Sequence, residues 1–456
     1  SPTLVTLTRS FVVCYCSNSM SILYVCVDPG GSQTKIIYQL PRDEKPRYLL
    51  MAPFVEEISE GNLQRYLDKE SKMSNPAAIR QAYLEVNQRT FVVGYLASKF
   101  DPEDRLPEIK YENALYKALA AVGVIAELNG LKSKKISLQL AVLLPWNEYE
   151  DRSKFYQKLK EYLDDFVFRG QSYSVKLDKF ICRPEGGGLA AIHTKKQGKE
   201  WQQNSKLGIL MFGHRNITAL NFEYGDLTGD SPLIGFSKFL DNVIERTSGL
   251  DRDRIAAAIF QGLESTKTRE YKTVRSASQT FYPSWSDLNA IQTLANAKDE
   301  DLRQQEITDV CEAIDIATEE YWSIVSKWLN RMFPDDLSEV VISGGASRFL
   351  EPSLERYFNC RHIYEENGSS YYSSYIRTGE YQPLEAAWHF TPMVWGAGLT
   401  KEIAEILELD GGKEAENSLS YRLIDAYGLF DLLLSKSQTK SKNSSSKKIK
   451  QQAQAS

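Results

Sequence analysis

The sequence predicts an α/β protein made of two similar halves that face each other across a cleft. Hairpin patterns begin the two halves, at residues 22 and 207. In each half, apolar strand patterns then alternate with helical ones. A strand that ends in a Gly-Gly turn, residues 340–345, lies late in the second half. The repetition is one of layout and not of sequence identity, and it predicts a duplicated fold.

The first hairpin contains a loop that suits an anion. Residues 22–27 and 35–40 are apolar, β-rich runs, and Asp-Pro-Gly-Gly-Ser-Gln-Thr joins them. Gly30 and Gly31 allow backbone N–H groups to approach a phosphate closely. An ordinary hairpin turn of this composition is the alternative interpretation. Ser32 and Thr34 add hydroxyl donors to the loop, and Lys35 adds a cation. Asp28 adds a carboxylate that suits hydrated Mg²⁺.

Composition bounds the class of protein. The length of 456 residues predicts two or more domains. The formal net charge of −5 predicts no general affinity for nucleic acid or membranes. Six scattered cysteines favour neither a zinc site nor a disulfide framework, and they suit a reducing cytoplasm. No apolar run reaches the roughly 18 residues of a membrane-spanning helix.

The rest of the first half alternates between helices and strands. Residues 111–128 have helical apolar spacing, and residues 136–144 form a continuous apolar strand, which predicts burial on both faces. We expect an amphipathic helix over 151–168 and a strand over 172–181. That strand leads to Glu185, which a run of three glycines follows. A purely structural acid at a strand end, before a flexible turn, is the alternative interpretation of Glu185.

The second half repeats the order. Residues 207–212 and 217–224 predict a hairpin with a turn at 213–216. Helices are predicted over 236–248 and 307–333. The later Gly-Gly turn precedes a helix start, and such a helix N-terminus favours an anion or a ribose-phosphate edge.

These segments carry a resemblance to the actin/Hsp70/sugar-kinase superfamily and, within it, to the plasmid-segregation actins of the ParM type. DPGGSQTK resembles the first phosphate loop, FGHRNITAL the second, and SGGAS the adenosine motif. RPEGGGLAAI resembles the segment that carries the hydrolytic glutamate. LLPWNEY resembles the strand end before the domain I crossover. WGAGL resembles the segment near the C-terminal return.

The resemblance implies an actin-like, ribonuclease H-like duplicated fold with a nucleotide cleft between two domains. Domain I would span residues 21–200 and domain II residues 201–395, and helices in 396–434 would return to domain I. Residues 1–20 fit poorly with the segments after them, and we expect a disordered extension that the folded protein does not need. Residues 435–456 hold six lysines and no acid, which predicts a disordered tail, either solvated or in contact with an acidic partner, DNA or anionic lipid.

The resemblance also assigns roles to residues. Glu185 would orient or deprotonate the attacking water, and Asp28 would organise the shell of a Mg²⁺ ion bound with ATP or GTP. The nucleotide-binding residues that it implies are Asp28, Gly30, Gly31, Ser32, Thr34, Lys35, Gly213, Arg215, Asn216, Gly344 and Gly345.

The second phosphate loop departs from the family pattern. Its usual leading aspartate is replaced by Met211, which cannot bind a hydrated cation. Arg215, within the turn, is able to neutralise phosphate charge directly, whereas His214 is better interpreted as a solvated loop residue. Nucleotide binding is still expected, and the replacement of the acid leaves the rate of hydrolysis open.

Two classes of function remain open on the sequence. The first is a cytoplasmic actin-like ATPase that polymerises into filaments, either segregating DNA through a DNA-binding adaptor or serving as a cytoskeleton. The second is a small-molecule kinase or a non-polymerising nucleotide switch on the same fold. A kinase needs an acidic base beside its acceptor hydroxyl, and Met211 with its apolar neighbours offers none.

Overall fold

The computed structural model describes residues 20–70, 77–100, 110–247, 249–265, 289–360, 391–409 and 419–437. The predicted extension at 1–20 and the tail at 435–456 therefore lie almost wholly outside the described residues. The strands are β1 Ser21–Pro29, β2 Thr34–Gln39, β3 Arg47–Met51, β4 Val55–Ile58, β5 Tyr83–Val86, β6 Arg89–Val93, β7 Ile136–Leu144, β8 Phe166–Phe168, β9 Gln171–Tyr173, β10 Val175–Pro184, β11 Lys206–Phe212, β12 Ile217–Glu223, β13 Asp226–Asp230, β14 Glu339–Ser343 and β15 Met393–Trp395.

Helices connect and cover these strands. They are α1 Glu60–Glu70, α2 Lys110–Leu128, α3 Trp146–Tyr149, α4 Arg152–Asp164, α5 Gly187–Gln197, α6 Lys199–Gln203, α7 Phe236–Arg246, α8 Arg252–Ser265, α9 Asn289–Gln292, α10 Glu300–Met332, α11 Glu351–Cys360, α12 Thr400–Ile406 and α13, residues 419–437. Within the described part of the chain, no helix is both long enough and apolar enough to cross a membrane.

The two halves share one sheet topology. The first sheet has the order β3-β2-β1-β7-β10, and the second has β13-β12-β11-β14-β15. In each, the first three strands form an antiparallel meander, and two parallel strands extend the sheet beyond the first of them. The duplication predicted from the two hairpins is therefore confirmed in strand order and direction.

A third sheet was not predicted. Its order is β4-β6-β5-β8-β9, and every pairing in it is antiparallel. The sequence prediction of a helix over 151–168 was wrong at its end, because α4 stops at Asp164 and Phe166–Phe168 pairs with β5 instead. Phe166 and Phe168 are buried there, so tertiary packing outweighs the helical pattern that precedes them.

Three large buried clusters and a small one around Leu63 organise the described part of the chain. One lies under the first and third sheets with α2 and α4, and a second lies under the second sheet with α7 and α10. The third joins the halves, because it combines the inner faces of the first two sheets with α5 and α13. Cys26 of β1, Ile209 of β11 and Leu429 of α13 all lie in this third cluster. Shared apolar packing therefore joins the two halves.

Candidate functional site

The first loop is held by a buried ion pair. Asp28 and Lys35 face each other across the β1–β2 hairpin, and Lys35 Nζ lies 2.6 Å from Asp28 Oδ2. Both side chains are largely withdrawn from solvent, at 7% and 15% exposure. A Cβ atom on Gly30 would lie 2.6 Å from the Gln33 carbonyl oxygen, so this tight loop requires glycine there. The hairpin predicted from the sequence is confirmed, and it brings the acid and the lysine together.

A polar atom in this loop lacks a protein partner. Thr34 is fully buried, and its Oγ1 has no hydrogen-bond partner among the described residues. An unsatisfied buried hydroxyl costs roughly 1–3 kcal/mol, which a bound ligand or water would recover. Lys117, from α2, also lies below the loop, with Nζ 3.5 Å from the Pro29 carbonyl oxygen. Sequence reasoning missed Lys117, although a lysine within the apolar stretch of α2 was a usable signal.

The second loop is fixed through its backbone. Its turn, residues 213–216, is docked on the start of α7, where three successive N–H groups donate to three of its carbonyl oxygens. A Cβ atom on Gly235 would lie within 2.5 Å of backbone atoms of that turn, so only glycine allows this contact. Sequence reasoning did not identify Gly235. The donor–acceptor pairs are Gly235 N to Arg215 O at 3.1 Å, Phe236 N to Gly213 O at 3.1 Å and Ser237 N to His214 O at 2.8 Å.

The two loops meet where the halves face each other. A Cβ atom on Gly31 would lie 3.2 Å from Arg215 Cβ, so the tip of the first loop touches the turn of the second. Ser32, beside it, is exposed at the tip. The Gly213 N–H donates to the Asn216 carbonyl oxygen within the turn. The structure therefore brings Arg215 to the first loop, a position that suits a phosphate-binding residue.

Glu185 lies at the end of β10 and receives hydrogen bonds from the second half. Asn216 Nδ2 donates to Glu185 Oε2 at 2.9 Å, and Thr218 Oγ1 donates to the same oxygen at 3.2 Å. Ser231 Oγ completes the network, at 2.6 Å from Asn216 Nδ2 and 2.7 Å from Thr218 Oγ1. Asn216 was assigned to phosphate binding by resemblance, and here its side chain orients the Glu185 carboxylate. Sequence reasoning missed Thr218 and Ser231.

The glycines after Glu185 serve helix packing. Gly186 has φ +85° at the start of α5, and a Cβ atom on Gly188 would lie 1.9 Å from the Asp425 carbonyl oxygen in α13. The Asp425 carboxylate caps α5, accepting the N–H groups of Gly186 at 2.7 Å and Leu189 at 2.8 Å. Burial raises the pKa of Asp425 to about 7, against the opposing effect of these two hydrogen bonds.

The predicted adenosine turn lies beside α13. Gly344 has φ +101°, and a Cβ atom there would lie 2.4 Å from the Phe212 carbonyl oxygen. Next to it, a Cβ atom on Gly345 would lie 3.4 Å from Arg422 Cγ. Arg422 was missed by sequence reasoning, which identified this region only as helices that return to the first half.

Met211 makes an apolar contact at the position where the resemblance implies an acid. Its Cγ lies 3.2 Å from the position of a Cβ atom on Gly186, and Ile209 and Leu220 line the same spot. The side chain therefore packs under the turn that follows Glu185.

The donor set for a cation is small. Within the described ranges, no group of three or more His, Cys, Asp and Glu side chains is arranged to hold a metal ion. Mg²⁺ commonly takes one or two carboxylates together with phosphates and waters. Asp28 and the unpartnered Thr34 hydroxyl therefore fit an ion of this kind.

Comparisons with known proteins bear on the fold. No protein-family model matches the sequence, and no curated protein matches it. Among solved structures, the actin-like protein Alp7A superposes with a TM-score of 0.51 at 14% identity, over 94% of this chain and 99% of that one. The chain therefore has the actin-like fold.

Two further solved structures are similar over most of their length. A Bacillus thuringiensis ParM with ATP has a TM-score of 0.49 at 11% identity, over 91% of this chain and 99% of that one. Ta0583, an archaeal actin homolog, has a TM-score of 0.48 at 12% identity, with the same shares of the two chains.

Proposed function

We propose that this actin-like protein binds a purine nucleoside triphosphate with Mg²⁺ between its two loops, hydrolyses it and assembles into filaments. The observation that carries the nucleotide part is the meeting of the loops at Gly31 and Arg215, with the buried Asp28–Lys35 pair behind them. Glycines, cations, one carboxylate and an unpartnered hydroxyl are together the groups that phosphates and a hydrated cation need.

The chain's own residues would divide the work of phosphoryl transfer. Lys35 and Arg215 would neutralise phosphate charge, and Asp28 would hold the cation's shell. Mg²⁺, when bound, would neutralise charge on the phosphate oxygens. Glu185 would orient the attacking water, and the hydrogen bonds from Asn216 and Thr218 would keep its carboxylate in one position.

Calorimetric titration of Mg·ATP tests the nucleotide part. Asp28→Ala is expected to weaken binding by about 1 kcal/mol or more, since a charged and largely buried contact is lost. Glu57→Ala is the matched control, because its carboxylate pairs with Arg89 in the third sheet, and its affinity is expected to stay at the wild-type value. Equal affinity of the Asp28→Ala variant and the wild type would remove Asp28 from the site.

Filament assembly is supported by the resemblance to the segregation actins. A bound triphosphate that contacts both loops would hold the two halves in one rigid geometry. A head-to-tail contact between such subunits grows into a filament when its rotation does not close into a ring. Loss of the γ-phosphate contacts would let the halves relax and would weaken that contact.

Sedimentation and light scattering test assembly directly. Both are expected to rise with ATP or a non-hydrolysable analogue above a critical protein concentration, and to fall with ADP. A protein that binds ATP yet stays monomeric at high concentration would overturn the filament part alone. Segregation of DNA through an adaptor is the cellular role that the same resemblance favours. No contact in the described residues favours the kinase alternative.

A further inference from the structure

The first two turns of α13 reach three parts of the candidate site. Ser343 Oγ, at the end of β14, donates to the Tyr421 carbonyl oxygen at 2.9 Å. Arg422 extends to the first loop, and Asp425 caps the turn that follows Glu185. One helix near the end of the described chain is therefore joined to both halves at their loops.

Arg422 bridges the first loop and the glycine turn. Its Nη2 donates to Gln33 Oε1. Its aliphatic stem lies against the glycine turn, since a Cβ atom on Gly345 would be 3.4 Å from Arg422 Cγ and 4.0 Å from Nε. The guanidinium is thus placed between the predicted phosphate loop and the predicted nucleoside turn.

The charge of Arg422 is not neutralised by a direct ion pair. Burial lowers the pKa of Arg422, while the negative charge of Asp28 acts in the opposite direction. The Asp28 carboxylate is itself paired with Lys35, and no carboxylate of the described residues lies within salt-bridge distance of Arg422. A cation withdrawn from water without an ion-pair partner is costly, and an anionic ligand would recover that cost.

We propose that Arg422 binds a phosphate of the nucleotide, so that α13 adds a third anion-binding element to the two loops; this inference rests on the proposed function. Guanidinium presents five N–H donors in a planar fork that matches phosphate oxygens, and Gln33 uses one of them in this structure. Phosphate binding exchanges the neutral Gln33 partner for a charged one. Neither hairpin contributes this cation, because it comes from a helix far along the chain.

Titration of ATP and adenosine, each with Mg²⁺, tests the assignment. Arg422→Gln is expected to weaken ATP binding on the order of 10- to 100-fold, the worth of a hydrogen bond to a charged group. Adenosine, which lacks phosphates, is expected to bind the variant as it binds the wild type. Arg422→Lys keeps the charge and loses the fork, so its ATP affinity is expected to lie between the two.

Gln33→Ala is the matched control. It removes the partner of Arg422 and keeps the cation, so ATP binding is expected to stay at or above the wild-type affinity. Thermal unfolding without nucleotide checks that each variant is folded. If Arg422→Gln does not fold, the comparison of Arg422→Lys with Gln33→Ala tests the role of Arg422 instead. Equal ATP affinity of the folded Arg422 variants and the wild type would show that Arg422 has a structural role and does not bind the nucleotide. A wild type that binds neither ligand would instead refute the proposed function.

Discussion

The two hairpins have the same topology, but the residues paired beside their loops are charged in the first and uncharged in the second. In the first, Asp28 lies opposite Lys35, and the charged pair is buried beneath a glycine loop. In the second, Met211 lies opposite Thr218, and the turn beyond them is fixed by backbone hydrogen bonds to α7. The first hairpin carries an acid and a lysine at its loop, whereas the second donates hydrogen bonds to the carboxylate of Glu185 and brings Arg215 to the first loop.

In this duplicated fold, apolar packing constrains the strands of the two main sheets. The apolar faces of both sheets meet in one cluster with α5 and α13, so the strands of both halves are fixed by shared packing. Asp28 and Lys35 lie outside that cluster, whereas Met211 packs against it beside Ile209 and Leu220. The corresponding strand ends of the two halves therefore differ, one carrying a charged pair and the other an apolar contact.

We expect the greatest change from a variant that disturbs the backbone docking of the second loop. Gly235→Ala would place a Cβ atom 2.4 Å from Arg215 C and His214 O, which the turn cannot accommodate without moving. The free energy of unfolding should fall by about 3 kcal/mol, as for severe overpacking. Urea unfolding measures it. Gly61→Ala, on exposed α1 with nothing within 4 Å, is the control and should stabilise the protein by about 0.5–1 kcal/mol.

The next prediction concerns Glu185, which belongs to the first half and accepts hydrogen bonds from the second. Glu185→Gln should leave the affinity for Mg·ATP nearly unchanged and slow hydrolysis on the order of 10²-fold or more, the usual worth of a positioned general base. Phosphate release under single-turnover conditions measures this rate. Thr218→Val removes one donor to the Glu185 carboxylate and should slow hydrolysis less. Hydrolysis by Glu185→Gln at the wild-type rate would make Glu185 structural.

A third prediction concerns the helix that joins the two halves. The pKa of Asp425 is about 7 in the folded protein and about 3.9 in an unfolded chain. Ionisation therefore favours the unfolded chain as the pH rises between these values, and stability falls. Relative to the non-titrating variant Asp425→Asn, the free energy of unfolding of the wild type should fall by roughly 2 kcal/mol between pH 5 and pH 7.

Denaturant unfolding at several pH values, with both proteins in the same buffers, measures this difference. A constant difference across that range would show that the Asp425 carboxylate does not hold its proton in the folded state.

A smaller change is expected on introducing an acid at Met211, where the resemblance implies one. Met211→Asp places a carboxylate opposite Thr218 and should raise the rate of hydrolysis by about tenfold, which corresponds to about 1.4 kcal/mol in the barrier. Met211→Asn is the matched control, with a polar side chain of the same size as Asp and no charge, and its rate should stay at the wild-type value. An equal rise in both variants would assign the effect to polarity and not to charge.

Local pattern was sufficient for the hairpins, the helix over 111–128 and the strand over 136–144, because each is specified by residues close in sequence. It was insufficient for the third sheet. Strands β8 and β9 have three residues each, and β8 acquires its pairing from β5, far away in the chain. Such short strands carry too little periodicity to be distinguished from the helix that precedes them.

The duplicated architecture and the two glycine-containing loops follow from residue type and spacing, so the sequence was enough to predict both. The groups that meet between the halves are set by tertiary packing instead. Lys117, Gly235 and Arg422 reach the candidate site from helices or helix starts that lie far in sequence from the loops they approach. Their positions depend on how the three apolar clusters set the helices against the sheets, and that arrangement is a property of contacts between residues distant in sequence.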